Sequence, residues 1–136
     1  MTDKIIKSDN EWLEQLGPET FAITRQKGTE PAFSGVYCDA KVPGTYVCSG
    51  CGAALFGSDT KFDSGSGWPS FWKPAADGRI DEHQDVSRGM IRTEITCSKC
   101  DAHLGHVFSD GPKPTGQRYC VNSASLKLKP FGETET

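Results

Sequence analysis

Four of the six cysteines in this 136-residue chain stand in two C-x-x-C pairs, CSGC (Cys48, Cys51) and CSKC (Cys97, Cys100). Two such pairs supply four thiolates, the number that a closed tetrahedral zinc site takes. One ion bound there would fasten segments separated by 45 residues to a single point, whatever else the chain does. Gly50, Gly52 and Ser98, inside or just after the pairs, are small enough to let backbone amides turn toward the sulfurs. The spacing exceeds that of a compact zinc ribbon, so the intervening chain must form a substantial insertion. The alternatives are disulfides, or one pair acting as a redox couple. A reducing compartment disfavours structural disulfides. The opening MTDKIIKSDNEW has no apolar run of signal-peptide length, and no stretch approaches the ~20 apolar residues of a membrane span. A cytoplasmic location and one structural Zn²⁺ on Cys48, Cys51, Cys97 and Cys100 are therefore expected, with no membrane partner.

The net charge of -3 and pI near 5.6 argue against nucleic acid, whose binders carry a basic footprint. Fifteen glycines and eight prolines point to many turns and short strands. Ser8 before DNEWLEQL, stopped by Gly17, predicts a capped helix with Trp12, Leu13 and Leu16 as its apolar stripe. Pro18 opens a second short helix over PETFAITRQ. After residue 36 the pattern changes to alternation. Ile91, Thr93, Ile95 and Cys97 share one side of a strand; Met90, Arg92, Glu94 and Thr96 share the other. RYCVNSASLKLK puts Arg118, Cys120, Asn122, Ala124, Leu126 and Leu128 on one face. The expected fold is mainly antiparallel β with short N-terminal helices. It is one domain over 1–136, with a helical segment at 8–26, a β core at 36–129 and a polar tail at 130–136.

Cys120 differs from the paired cysteines. It sits alone in a strand, with Arg118 and Asn122 two residues to either side and on the same face. A neighbouring guanidinium favours the nucleophilic thiolate. A buried core cysteine is the competing reading. His103 and His106, in HLGHVF beside the second pair, read as proton or hydrogen-bond donors in a cleft. Zinc ligation is their alternative, but four thiolates already complete that site. FDSGSGWPSFW (residues 62–72) places four aromatic rings in a turn-rich segment, where large apolar surface needs a reason.

GWPSF, DAHLGHVF, DGPKPTG and RYCVNSASL, in that order along the chain, together with the two cysteine pairs, closely resemble the B-type methionine sulfoxide reductases. The resemblance runs from about Asp9 to Leu128. It implies two antiparallel sheets, in a sandwich or open-barrel arrangement, with zinc distal to the active site. It implies Cys120 as nucleophile, and His103 and His106 around the sulfoxide oxygen. Asn122 and Arg118 would frame the nucleophile, and Trp68 would wall the substrate methyl group. The substrate it implies is methionine R-sulfoxide, free or in proteins. An epimer-selective site needs a flat apolar wall for the methyl and donors for the oxygen. Trp68 suits the first; His103, His106 and Asn122 suit the second. Sulfur gains sulfonium character as the oxygen is protonated, and an indole face stabilises it. Phe71 and Trp72 are expected to hold the loop by packing.

The expected chemistry oxidises Cys120 to a sulfenic acid, which condenses with a second thiol. Many members of the resembled family carry that thiol two residues before the tryptophan, where this chain has Ser66, which can only hydrogen-bond in the pocket. Cys38, in the glycine-flanked stretch from Ser34 to Gly44, is the remaining unassigned thiol. A Cys120–Cys38 disulfide reduced by thioredoxin is therefore expected; the alternative is direct attack on Cys120 by an external thiol. A non-catalytic, zinc-ribbon-like binding module is the alternative of another class, but it leaves Cys120 and its neighbours without a purpose.

Overall fold

A computed structural model describes residues 5–38, 40, 42–76, 78–86 and 89–130. Two helices open the chain: α1 (Asp9–Leu16) and α2 (Pro18–Arg25). Ser8 caps α1 reciprocally: its hydroxyl accepts from the Glu11 amide at 3.2 Å, and the Glu11 carboxylate accepts from the Ser8 amide at 3.0 Å. Gly17, at φ 85°, ends α1 and leads into Pro18. The anticipated stripe is only partly right. Trp12 is buried and Leu16 packs on the core, but Leu13 is exposed. Both helices are tied to the cysteine pairs. Gln15 Nε2 donates to the Gly50 carbonyl at 2.7 Å, and Arg25 donates to the Cys100 carbonyl at 2.8 Å. The Arg25 guanidinium also lies 4.6 Å from the Trp12 ring centroid.

The described strands are β1 (Gly44–Cys48), β2 (Ala54–Gly57), β3 (Lys61–Phe62), β4 (Ser70–Phe71), β5 (Ile80–Asp85), β6 (Arg92–Cys97), β7 (His103–Phe108), β8 (Arg118–Val121) and β9 (Leu126–Pro130). They form two antiparallel sheets, as expected: β2-β1-β9, and β3-β4-β8-β7-β6-β5. The single alternating run expected from Arg118 to Leu128 is broken. A 3-10 turn at Ser123–Ser125 carries the chain from the large sheet (β8) into the small one (β9). The turn is fixed by Ser125, whose hydroxyl donates to the His103 carbonyl at 2.9 Å. The expected tail beyond Pro130 lies outside the described residues.

The core sits between the sheets and is aromatic. Phe71 of the large sheet stacks on Phe56 of the small one, with centroids 4.5 Å apart, and meets Tyr46 edge-on at 5.2 Å. Phe56 also contacts Tyr119 at 5.7 Å. Removing a ring as buried as Phe71 would cost about 3–5 kcal/mol. Ile95, Leu104, Val107 and Val121 extend this core along the large sheet. Strand alternation then forces polar residues of the same strands onto the opposite face.

Candidate active site

That opposite face carries an unbroken cross-strand row. Register pairs Ser70 with Cys120, Cys120 with His106, His106 with Glu94, and Glu94 with His83. Side chains paired directly across an antiparallel ladder point the same way. The topology therefore delivers a thiol, an imidazole and a carboxylate as neighbours on one surface.

His103 joins them by a local irregularity. Three residues from His106, it would face the opposite side of a regular strand. Pairing slips between Ile95 and Thr96: Ile95 meets Gly105, but Thr96 meets His103, leaving Leu104 as an extra residue. This bulge reverses the alternation. The two imidazoles end 5.7 Å apart on the same face. Gly105 makes the bulge possible: a Cβ there would stand 2.0 Å from the Cys120 carbonyl oxygen. Glycine lets β7 approach β8 this closely.

Cys120 is partly exposed and opens into a cavity of about 260 Å³. Trp68, Ser66, His106, Arg118 and Asn122 line the same cavity, with Thr29 from the segment after α2. The Trp68 ring is pinned, its Nε1 donating to the Glu30 carbonyl at 2.9 Å. Glu30 is tied in turn: its amide donates to Asn122 Oδ1 at 3.1 Å, and its carboxylate accepts from the Ala124 amide at 3.1 Å. Asn122 Nδ2 donates to the Leu104 and Gly28 carbonyls, at 3.2 and 3.5 Å. Both its amide hydrogens are thus committed to holding the bulge and the 28–30 segment together. Asn122 here is a strut of the pocket wall.

The electrostatics at Cys120 pull both ways. Burial pushes the Cys120 thiol up; the Ser66 hydroxyl, at 3.9 Å, and Arg118 both pull it down without overcoming that. Burial thus opposes the thiolate that Ser66 and Arg118 favour. Arg118 is bound elsewhere: it pairs with Asp110 through two hydrogen bonds, at 2.9 and 3.2 Å, and lies 4.4 Å from the Phe108 ring centroid. The bond to Asp110 raises its pKa first of all.

Two acids that the sequence did not single out hold the imidazoles. His106 Nε2 lies 2.8 Å from Asp85 Oδ2, and His103 Nδ1 lies 2.7 Å from Glu94 Oε2. Alternation had placed Glu94 opposite the apolar side of its strand, which was the available signal. Asp85, two strands from His106, left none. Cys38 lies in a turn whose carbonyl accepts from Lys61 Nζ at 3.0 Å, and it is not among the residues lining the Cys120 cavity. A larger cavity, about 800 Å³, opens between the helices and the 28–37 segment, and Cys120 does not line it.

The paired cysteines converge as their spacing required. The sulfurs of Cys48, Cys51, Cys97 and Cys100 lie within 4.8 Å of one another, with Cys48–Cys100 at 3.6 Å and Cys51–Cys97 at 3.5 Å. A tetrahedron with ~2.3 Å metal–sulfur bonds has edges of about 3.8 Å, so the four are placed to hold one ion. The Gly50 amide turns to Cys48 Sγ at 3.4 Å. Hydrogen bonds from Cys100 and Cys48 hold the Cys97 thiol down to about 2, whereas those with Cys100, Cys51 and Cys97 push Cys48 up. A divalent cation is what would let all four ionise together.

A lone, partly exposed thiol beside an imidazole pair, with the four clustered sulfurs gathered separately at the strand turns, is an arrangement suited to thiol redox chemistry. Residues 16–130 match the SelR domain family. The chain is 64% identical over 126 residues to the peptide methionine sulfoxide reductase MsrB of Acinetobacter baumannii, covering 93% of this chain and 91% of that one. The corresponding protein of Acinetobacter baylyi is equally similar, and that of Bradyrhizobium diazoefficiens is 60% identical over 128 residues, covering 94% and 92%. The chain belongs to this family, the B-type methionine sulfoxide reductases. Among the described residues no helix is long and apolar enough to cross a membrane.

Proposed function

We propose that this protein reduces the R epimer of methionine sulfoxide, free or within proteins, at Cys120. The observation that carries the reading is the placement of Cys120 between Ser70 and His106 in one cross-strand row, opening on a cavity walled by Trp68. A sulfoxide fits such a site in one sense: methyl toward the indole, oxygen toward the imidazoles.

The first step balances without outside protons. The Cys120 sulfur attacks the sulfoxide oxygen-bearing centre, and the thiol proton reaches the oxygen through an imidazole, His106 with His103 assisting. Cys120–SH and R₂S=O become Cys120–SOH and R₂S. The substrate sulfur gains two electrons and the cysteine sulfur loses two. Cys38 then condenses with the sulfenic acid, releasing water and leaving a Cys38–Cys120 disulfide. Cys38 lies outside the Cys120 cavity, in a turn bonded to Lys61, so this step requires that turn to move. Thioredoxin, a dithiol, returns both cysteines to thiols. One Zn²⁺ on Cys48, Cys51, Cys97 and Cys100 serves structure, holding the β1–β2 and β6–β7 turns together. The whole chain acts as one catalytic domain of the cytoplasm.

Turnover of separated R and S epimers in a thioredoxin-coupled assay tests this. R-selective reduction is expected. Cys120→Ser should abolish it, by at least ~10³-fold, while keeping one metal per chain. Equal turnover of both epimers, or activity surviving in Cys120→Ser, overturns it.

A further inference from the structure

The two imidazoles are held by opposite nitrogens. His106 meets Asp85 through Nε2, and His103 meets Glu94 through Nδ1. A carboxylate oxygen accepts, so each ring places its single proton on the nitrogen facing its acid. The nitrogens left over differ accordingly: Nδ1 of His106, whose ring lines the Cys120 cavity, and Nε2 of His103, which is buried behind His106 and does not line it. The His103 arrangement is the more enclosed. The side chains of both His103 and Glu94 are 5% exposed, and His103 Nε2 is buried with no hydrogen-bond partner. The other Glu94 oxygen pairs at 3.3 Å with Lys27 Nζ, just past the end of α2. Lys27 is held there in the left-handed region, at φ 56°, a conformation uncommon for a side chain of its kind.

We propose that Glu94 is a positioning residue for sulfoxide reduction: by holding the His103 proton on Nδ1, it presents Nε2 bare as the proton acceptor and supports the imidazolium formed when that nitrogen is protonated. This rests on the reading of the pocket given above, and names a residue within it. The acid stands to His103 as the third member of a nucleophile–base–orienter set stands to its base. A bare Nε2 cannot donate to an oxygen. It can do so only after taking up a proton, so the pair loads and delivers one proton per turnover. Glu94 stabilises the loaded state and Lys27 opposes it. The groups facing this ring are Glu94 on β6, His106 on β7 and Lys27. Arg25, His83 and Asp101 line the same outer crevice, with His83 bonded to Thr96 at 3.1 Å. Burial depresses His103 and Glu94 raises it, with His106 and Lys27 depressing it further.

The test is ¹⁵N NMR of the His103 ring across pH, in the full metal-loaded chain. The wild type should show the Nδ1–H tautomer. Glu94→Gln should lower the His103 pKa, and Lys27→Met should raise it. Lys27 is 73% exposed, so its replacement should not disturb folding. In the coupled assay, kcat for R-sulfoxide should fall by about 10²-fold or more in Glu94→Gln, with KM little changed and activity recovered in part by Glu94→Asp. An Nε2–H tautomer in the wild type overturns the proposal, as do pKa shifts of the same sign in the two variants. If the wild type reduces no sulfoxide, the functional reading fails, and the NMR titration still decides how Glu94 holds His103.

Discussion

Ser66 Oγ lies 3.9 Å from Cys120 Sγ. A hydroxyl at that distance can hydrogen-bond the Cys120 thiol but cannot take it into a disulfide. The position is nonetheless one from which a sulfur could reach Cys120 without moving a loop. Recycling through Cys38, in contrast, has to draw on a turn outside the cavity.

Ser66→Cys should therefore make Cys38 dispensable. In a Cys38→Ser background, adding Ser66→Cys should produce a 66–120 disulfide after one turnover with sulfoxide and restore thioredoxin-driven cycling. Peptide mapping of the oxidised protein checks it. Unaltered turnover in Cys38→Ser alone would remove Cys38 from the cycle.

Cys120 should alkylate slowly at neutral pH. Its pKa is raised by burial, so the thiolate appears only as pH climbs past the ordinary thiol value. In Cys38→Ser, metal-loaded protein, the iodoacetamide rate should keep rising with pH through that range. Arg118 lowers the Cys120 pKa, so Arg118→Met should push the midpoint higher still. A downward shift, or a rate flat from pH 7 to 10, contradicts the electrostatics described.

Gly105→Ala should loosen the centre of the large sheet. The new methyl would meet the Cys120 carbonyl at 2.0 Å, and neither backbone can yield without lengthening the β7–β8 ladder. A loss of about 1–3 kcal/mol in urea unfolding is expected, with a larger proportional loss of activity because His103 and His106 shift together.

Stripping the metal should unfold the turns before it touches the pocket. Chelator treatment should lower Tm substantially and expose the four sulfurs to thiol reagents, since ion binding is coupled to folding in such sites. Trp12, packed over the first cysteine pair beside Gly50, should report the change by fluorescence. An unchanged Tm after complete removal would mean that the helices and β hairpins hold without the ion.

Much of the framework is legible in the chain itself. Paired C-x-x-C spacing dictates a four-sulfur cluster because few other arrangements use it, and the cluster is there. Ser8, Gly17 and Pro18 mark both helices by local rules. Alternation identifies the polar side of β6 and β8, and with it Cys120. Where alternation failed, long-range geometry intervened. His103 should have faced the core, but one extra residue opposite Ile95 and Thr96 turned it to the face that carries His106 and Cys120. The run after Cys120 was broken because its two halves belong to different sheets.

The amino-acid order by itself determined the inventory: four sulfurs for an ion, one lone sulfur on a strand, two imidazoles and an indole nearby. The tertiary structure decided what each group is bonded to. It gave Asn122 its backbone partners, Arg118 its Asp110, and the two histidines their separate carboxylates. Those assignments depend on cross-strand register, and a slip of one residue would send every one of these side chains to the other face. Local sequence carries no record of that register; it is set only when both sheets close around the aromatic core.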